Sequence, residues 1–406
     1  PGGFGNFYHL EGPGYGLKIK EISEYQKNDK RNKNAVFLNN LTINQNHNEN
    51  YIYDFIKLVK ATGCSVIYDA NIISSNPEEV LKIIKLLLDH DVTLLGVELG
   101  GELYDMSYMH FMNIDKYISL AKLYSDSIRK NYKDLLISVV AAPNNRGSSR
   151  LSDWNSKLSK ENFYDAIIIH PYAKVVKGRD VAGEMLTVIP EGVNKAETYQ
   201  IYKDRAIKYI IQDFQLELNN YNNQYKNKTI WITEWNLQMS SVTGNTLLQA
   251  LFVSHQLIEL ASLKNSNIEL ATFHNLAGRT LSGSMIMQRD NKASKNATFN
   301  SMRIIKDLFR ADVFLKGQAE IHNDCFEYCF EMPEANKKLY YWINWSGEKI
   351  NVSKKFTGKK SEYYGQNLFD KNSEKTAFKY IKKDLFNSYL NLKPYSITFV
   401  EQIIKK

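Results

Sequence analysis

The strongest constraint on the fold of this chain is a repeated alternation between short apolar runs and amphipathic segments of helical length. The apolar runs are five to eight residues long and rich in β-branched side chains. Runs of this kind predict strands that are buried on both faces, as in a parallel sheet. We predict six such strands, at residues 64–70, 92–99, 135–141, 165–170, 229–233 and 268–273.

Amphipathic helices are predicted before, between and after these strands, at residues 49–60, 76–90, 113–131, 148–158, 196–221, 246–263 and 297–309. Strands that alternate with helices form parallel sheets with right-handed crossovers. Six consecutive βα units are more than half of a (β/α)₈ barrel, so the predicted class is α/β with a TIM barrel. A doubly wound open sheet is the alternative, but no Gly-x-Gly-x-x-Gly or Gly-x-x-x-x-Gly-Lys motif follows any predicted strand.

The pattern changes after residue 312. Strand-like runs occur at 325–331, 338–344, 349–356 and 396–403, separated by turns, and a helical period is visible only in a short stretch near 374–383. Short strand-like runs separated by turns are typical of an antiparallel β-sandwich. We therefore predict a catalytic barrel domain over residues 1–312 and a β-sandwich accessory domain over residues 313–406.

Composition narrows the functional classes. Of 406 residues, 43% are hydrophobic and 24% are charged, which excludes a disordered or fibrous chain. No apolar run approaches the ~18 residues of a membrane helix, so no membrane span is predicted. Cys64, Cys325 and Cys329 lack the paired spacing of a zinc site, so no metal is expected. Lysine and arginine exceed the acids by 52 − 44 = 8, which favours acidic partners, although the excess is spread along the chain and a solvated basic surface is the main interpretation.

Two glutamates follow predicted strands at the end where barrel enzymes carry their active sites. Glu102 comes after the second strand and Glu234 directly after the fifth. One glutamate at a strand end is usually a surface charge, but two of them beside aromatic residues fit the paired carboxylates of glycoside cleavage. Further strand-end side chains are predicted to contact sugar rings or hydroxyls: Asn71, Tyr104, Asn144, His170, Tyr172, Trp235, Asn236, His274 and Asn275.

Three motifs carry a family resemblance. VELGGELY (97–104), IIIHPYA (167–173) and IWITEWN (230–236) resemble the clan of retaining glycosidases built on a (β/α)₈ barrel, nearest to the branch with α-L-arabinofuranosidases, β-xylosidases and heparanase-like β-glucuronidases. The resemblance implies that Glu102 is the acid/base on strand four and Glu234 the nucleophile on strand seven. His170 and Tyr172 match a His-x-Tyr pair that positions the nucleophile and the sugar. The resemblance also implies chemistry without a cofactor, and a secreted, periplasmic or cell-surface location.

The sequence departs from that family in two places. The asparagine that usually precedes the acid/base is Gly101 here. Counting back from Glu102, the run at 64–70 becomes strand three, so we expect an N-terminal segment or a second polypeptide to supply strands one and two. The loop at residues 6–16 would then cover the active site, with Asn6, Tyr8 and His9 as substrate contacts.

The sequence thus predicts a retaining hydrolase of polysaccharides or oligosaccharides, and its basic balance favours a uronate-containing or sulfated substrate. The alternative is a catalytically impaired barrel that binds glycans, as suggested by Gly101. A nucleic-acid partner is disfavoured because no recognition motif is present. A lyase or aldolase would need a strand-end lysine or a metal cluster, and no predicted strand ends in lysine.

Overall fold

The computed structural model describes residues 2–12, 14–18, 50–144, 147–186, 195–263, 267–278, 283–289, 292–310, 312–373 and 378–404. Internal contacts divide the chain into two compact units. The first comprises Pro1–His170, Asn219–Thr233 and Asn267–Ala271, and the second comprises Pro171–Leu218, Glu234–Ser266 and Thr272–Lys406. Residues 313–406, predicted as a separate domain, belong to a unit that also takes in segments from before residue 313.

The first unit is built on a curled parallel sheet. All six predicted strands are present, in the order β1-β2-β3-β4-β6-β7. A short strand β5 pairs with the end of β6, and both β5 and the part of β6 from Glu234 onward belong to the second unit. This arrangement of alternating strands and helices confirms the predicted α/β fold class. The strands are β1 Val66–Ala70, β2 Leu94–Leu99, β3 Leu136–Val140, β4 Ala166–Ile169, β5 Tyr172–Ala173, β6 Thr229–Leu237 and β7 Ile268–Phe273.

The interior of this sheet is apolar and closely packed. Val97, Val139 and Ile167 are fully buried on neighbouring strands, as expected for strands covered on both faces. Gly96 makes room for the indole of Trp231, because a Cβ at position 96 would lie 2.4 Å from Trp231 Cη2. A larger residue at position 96 would therefore push the central tryptophan out of the sheet interior.

The helices begin where the sequence predicts. Asn76 accepts a hydrogen bond from the backbone nitrogen of Glu79 at 2.9 Å, and Pro77 occupies the first helical position, which together fix the start of α2. Asn113 caps α3 in the same way through the nitrogen of Lys116. The helices of the first half are α1 Ile52–Thr62, α2 Pro77–Asp89, α3 Ile114–Asn131 and α4 Ser149–Leu158.

The long helix predicted at 196–221 is interrupted. It consists of α5 Lys195–Lys208, a π-helical turn Tyr209–Asp213, and α6 Phe214–Gln224. Apolar periodicity does not distinguish one π turn from α-helix, which is why the sequence predicts a single element. The remaining helices are α7 Leu247–Ser262 and α8 Ala297–Ile305. No helix within the described ranges has both the length and the apolar character needed to cross a bilayer.

The C-terminal part of the second unit is antiparallel, as predicted. Six strands run in the order β10-β11-β12-β15-β13-β14, and β8 pairs with β9 in a separate hairpin. The helical period near 374–383 is a wrong prediction, since residues 379–383 lie in β14 and residues 374–377 fall outside the described residues. The strands are β8 Ile286–Arg289, β9 Lys292–Lys295, β10 Phe314–His322, β11 Cys325–Met332, β12 Lys337–Asn344, β13 Ile350–Tyr364, β14 Lys379–Leu392 and β15 Ser396–Ile403.

The six-stranded sheet folds back over itself to form two layers. β13 pairs with β15 only through residues 359–364, and register shifts near Phe356 bend its first half away. Phe356 consequently packs on β12, with ring centroids 5.1 Å from Tyr340 and 5.3 Å from Trp342. The buried cluster around these rings is the core of the predicted β-sandwich.

Candidate active site

Glu102 lies in a tight turn three residues after the end of β2. Its φ angle is 51° and that of Gly100 is 80°, so both lie in the left-handed region. A Cβ at Gly100 would lie 2.6 Å from Leu103 Cδ1, which makes glycine the residue that fits there. A glutamate with positive φ costs about 1–3 kcal/mol, and residues strained in this way cluster at functional sites.

The Asn6 side chain holds this turn. Asn6 is 0% exposed, its Nδ2 donates to the Gly101 carbonyl at 2.6 Å, and its Oδ1 accepts from the Gly101 nitrogen at 2.8 Å. Asn6 Nδ2 also lies 3.3 Å from the Tyr108 hydroxyl. Gly101 lacks the amide side chain that the family resemblance leads one to expect, and Asn6 brings an amide to its backbone instead.

The carboxylate of Glu102 contacts an imidazole from the end of β4. His170 Nδ1 lies 3.2 Å from Glu102 Oε1, and His170 Nε2 lies 3.0 Å from the Thr233 hydroxyl. Thr233 in turn lies 3.5 Å from Glu98 Oε1, and the His170 side chain is only 4% exposed. Glu102, His170, Thr233 and Glu98 form what we call the Glu102 cluster.

The Glu102 cluster suits a carboxyl group that changes protonation state. A neutral imidazole with its proton on Nε2 can donate to Thr233 and accept at Nδ1 from a protonated Glu102. With the proton on Nδ1, the same ring donates to an ionised Glu102. The contact between His170 and Glu102 is therefore compatible with both forms of the acid.

Glu234 lies within β6, one residue after Thr233, and contacts a phenol. The Tyr172 hydroxyl donates to Glu234 Oε2 at 2.7 Å. β5 fixes this tyrosine, because Tyr172 pairs in register with Asn236 of β6. His274 packs edge-on against Tyr172, with ring centroids 6.0 Å apart. Glu234, Tyr172, Asn236 and His274 form what we call the Glu234 cluster.

Two buried polar atoms of predicted site residues have no hydrogen-bond partner among the described residues. These are Trp235 Nε1 and Asn275 Oδ1, both buried. Buried polar atoms in proteins are nearly always paired, and the contact of these two atoms with a substrate stays a prediction. Asn236 is different, because its amide donates to the His274 carbonyl at 2.7 Å and accepts from Gln249 Nε2 at 2.9 Å.

Tyr104 and Asn144 stand near the Glu102 turn in different environments. The Tyr104 hydroxyl lies 3.4 Å from Glu102 Oε1, and its ring packs edge-on against Trp154. Asn144 is exposed, and its Oδ1 accepts from Asn155 Nδ2 at 2.7 Å. Their contact with a substrate stays a prediction.

Asn71, Tyr8 and His9 bind other parts of the protein. Asn71 is buried, and its Oδ1 accepts from the backbone nitrogens of Ile73 and Ser74. The Tyr8 hydroxyl donates to Asn50 Oδ1 at 2.9 Å, and burial raises the pKa of this phenol. His9 is buried, with Nδ1 2.9 Å from an oxygen of Glu79. These contacts tie the N-terminal segment to the rest of the first unit. A role in substrate binding stays a prediction for each of the three residues.

Thr233, Glu98 and Gln249 were not selected as site residues from the sequence. Thr233 could have been found as the polar residue that ends the apolar part of β6 directly before Glu234. Glu98 shares the strand of the Glu102 motif, but its partners come from distant segments. No group of three or more histidine, cysteine, aspartate or glutamate side chains in the described portion is arranged to hold a metal ion.

Comparisons with known proteins identify the fold. No family model matches the sequence, and no curated protein matches it. Among solved structures, a family 51 α-L-arabinofuranosidase from Bifidobacterium longum superimposes with a TM-score of 0.63 at 11% identity, covering 87% of this chain and 78% of that one. An α-L-arabinofuranosidase from Thermotoga maritima gives 0.57 at 13% identity over 86% and 78% of the two chains. A glucosidase from Croceicoccus marinus gives 0.54 at 8% identity over 86% and 81%.

At sequence identities this low, the similarity to these structures shows only that this chain shares their fold. The resemblance inferred from the three sequence motifs is confirmed at that level, since several of the matched structures are family 51 arabinofuranosidases. This chain has the fold of the (β/α)₈-barrel clan of retaining glycoside hydrolases, with a β-sandwich after the barrel strands.

Proposed function

We propose that this chain is a retaining glycoside hydrolase in which Glu234 is the nucleophile and Glu102 the acid/base. The observation that carries the proposal is that one short segment, His170-Pro171-Tyr172, hydrogen-bonds both glutamates. His170 contacts Glu102 and Tyr172 contacts Glu234. Two carboxyl groups held by separate partners can take opposite protonation states, as double displacement requires.

In the proposed mechanism, a Glu234 oxygen attacks the anomeric carbon while protonated Glu102 donates its proton to the leaving glycosidic oxygen. This step forms a covalent glycosyl-enzyme and leaves Glu102 ionised. Glu102 then removes a proton from water, whose oxygen displaces Glu234 and releases the sugar with its original anomeric configuration. His170 supports both states of Glu102 through the contact at Nδ1. Retention requires carboxyl groups about 5–5.5 Å apart.

For the substrate we propose a glycoside within an oligosaccharide or polysaccharide. Of the three matched structures described above, two are α-L-arabinofuranosidases and one is a glucosidase, which sets the first sugars to test. The basic charge balance adds a uronate-containing substrate to the set. Such an enzyme would act outside the cytoplasm, as the family resemblance implies, and fractionation of the native organism would test that location.

The test is turnover of aryl glycosides by the full chain, with the product anomer followed by NMR. The panel contains α-L-arabinofuranoside, β-D-xyloside, β-D-glucoside and β-D-glucuronide. Glu234→Ala should lower kcat by about 10³-fold or more, and added azide should restore turnover with an inverted glycosyl azide as product. With Glu102→Ala and a good leaving group, azide should instead give the retained glycosyl azide.

The matched control is Glu184→Ala, which removes an exposed glutamate outside both clusters. It should leave turnover unchanged. Full activity in Glu234→Ala would contradict the nucleophile assignment. The second candidate function is glycan binding without cleavage, which Gly101 favours, and it would be supported if the unsubstituted chain bound a glycan of the panel but released no product.

A further inference from the structure

A basic groove lies in the second unit, between α8 and the sheet formed by β13 and β14. Its volume is about 900 Å³, and seven basic but only three acidic residues line it. The difference, 7 − 3 = 4, is half of the formal charge of +8 of the whole chain. Folding therefore concentrates a charge excess that is spread out in the sequence. The exposed basic side chains of the groove are Lys295, Arg303, Lys306, Lys359, Lys382 and Lys383.

The strand register places one pair of like charges at this groove, next to a pair of opposite charges formed by Lys359 and Asp384. Lys360 of β13 pairs directly with Lys383 of β14, and like charges in that relation destabilise a sheet. Lys360 is 5% exposed, and its Nζ is neutralised by Glu362 at 3.0 Å, while Lys383 stays exposed. Among the three acids, Glu401 is engaged by Lys337 at 3.0 Å. A bound anion would relieve the remaining repulsion.

The aromatic rings of the groove are already covered. The Arg303 guanidinium lies 4.9 Å from the Tyr380 ring centroid, and Lys295 Nζ lies 4.7 Å from that of Phe299. Phe399 is stacked on Tyr341 with centroids 4.8 Å apart. Single-stranded nucleic acids bind by stacking bases on open aromatic faces, and one face of each of these rings is already in contact with another side chain. The groove instead presents cations along a concave surface, which suits a single chain that carries many acidic groups.

We propose that this basic groove binds an anionic polysaccharide through its carboxylate or sulfate groups. None of its lining residues belongs to the Glu102 cluster or the Glu234 cluster, so it is a site for holding the chain rather than for cleaving it. The choice of an anion rests on the groove alone. The choice of a sugar chain rests on the proposed glycosidase function.

The experiment measures affinity in the full chain carrying Glu234→Gln, so that no ligand is cleaved. The probes are polygalacturonate, dextran sulfate, neutral arabinan, and a single-stranded oligonucleotide matched in charge, each at 50 and 300 mM NaCl. Binding of one or both acidic polysaccharides, weakened by salt, with none of arabinan, is the expected result. The polygalacturonate and dextran sulfate arms show which acidic group is preferred. Lys306→Gln/Lys359→Gln/Lys382→Gln should weaken binding about tenfold, because three exposed ion pairs are lost.

The matched control is Lys316→Gln/Lys349→Gln/Lys355→Gln, which removes the same charge from exposed positions outside the groove. It should change affinity by less than twofold. Equal weakening by both triple variants, no binding of either acidic polysaccharide, or tighter binding of the oligonucleotide would each overturn the proposal. With Glu234 restored, the groove variant should turn over a small neutral aryl glycoside at the unsubstituted rate. Absence of turnover in the unsubstituted chain would count against the proposed function and leave the binding result intact.

Discussion

At the scale of single residues, the geometry of Glu102 depends on an asparagine 95 residues before its neighbour Gly101. The left-handed φ of Glu102 is unfavourable in isolation, so packing and hydrogen bonds around the turn must maintain it. Asn6 supplies two of these hydrogen bonds and is itself fully buried. We infer that Asn6 is a positioning residue for Glu102, the proposed acid/base.

Asn6→Ala should therefore slow the acid-assisted step. The substitution leaves the buried Gly101 nitrogen and carbonyl without these hydrogen bonds, at a cost of about 1–3 kcal/mol, and allows the turn to relax. We expect kcat to fall about tenfold or more for glycosides with poor leaving groups, and much less for an activated aryl glycoside that needs little proton donation. Steady-state kinetics on a series of leaving groups measures this difference.

Asn50→Ala is the matched control for Asn6. Asn50 binds the carbonyls of His9, Leu10 and Gly12, so its loss loosens the same N-terminal segment without touching Gly101. Its kinetic effect should not depend on the leaving group. If kcat depended on the leaving group in the same way in both variants, Asn6 would act only by stabilising the N-terminal segment.

The two glutamates and their hydrogen-bond partners could be selected from the sequence. The contact that holds the Glu102 turn in place could not. Glu102, Glu234, His170 and Tyr172 all lie just beyond or within short apolar runs, where the strand pattern itself marks the position. The pairing of Asn6 with Gly101 joins segments with no shared periodicity. Such contacts depend on which distant segments meet in the tertiary structure, and the local pattern of residues does not predict this.

At the scale of elements, prediction from the sequence fails at the two edges of the antiparallel six-stranded sheet. β10 and β14 are the two edges of the six-stranded sheet, and both were missed. Exposed charges commonly protect edge strands from pairing with other chains. β14 accordingly carries the exposed lysines Lys379, Lys382 and Lys383, and these interrupt the alternation of polar and apolar residues by which a strand is recognised. The periodic spacing of apolar residues is clearest in elements that are deeply buried. The sequence therefore predicts the central strands of this sheet correctly.

The π-helical turn between α5 and α6 accompanies a buried acid. Burial raises the pKa of Glu217 from 4.5 to about 7, against the hydrogen bond from the Tyr209 hydroxyl and the charge of Lys174, while Asp213 adds to the rise. The native state therefore holds this proton between pH 4.5 and 7, where the unfolded state has released it. It follows that Glu217 lowers the free energy of unfolding as the pH rises from 4.5 to 7. Above pH 7 the full loss of stability is present.

Glu217→Gln should remove that cost while keeping an oxygen that accepts from Tyr209 at 3.1 Å. The variant should match the unsubstituted protein in unfolding free energy at about pH 4.5. At pH 8 it should be more stable by about 3 kcal/mol, since each unit of pKa corresponds to about 1.4 kcal/mol. Urea unfolding at both pH values measures this. A difference that is the same at both pH values would contradict the raised pKa.

At the scale of the whole molecule, α7 joins the C-terminal strands to the rest of the second unit. Thirteen of its sixteen residues are buried, so this helix has no solvent-exposed polar face of the kind that a surface helix carries. His255 is fully buried on this helix, and burial lowers its pKa to about 3, so the imidazole is neutral. Its Nδ1 accepts from Trp345 Nε1 at 3.2 Å, its Nε2 lies 2.7 Å from the Tyr328 hydroxyl, and that hydroxyl donates to Glu259.

Because of this buried chain of hydrogen bonds, we expect the C-terminal strands to fold together with α7 and not as an independent domain. Deleting residues 313–406 should expose the apolar surface of α7 and leave His255 without Tyr328 and Trp345. We expect the 1–312 fragment to be poorly soluble and to unfold without a cooperative transition, as measured by soluble yield and thermal circular dichroism. In the full chain, Tyr328→Phe removes only the hydroxyl and should cost about 1–3 kcal/mol while unfolding stays cooperative. If the fragment instead stayed soluble and unfolded cooperatively, the boundary at residue 312 would separate two independent domains.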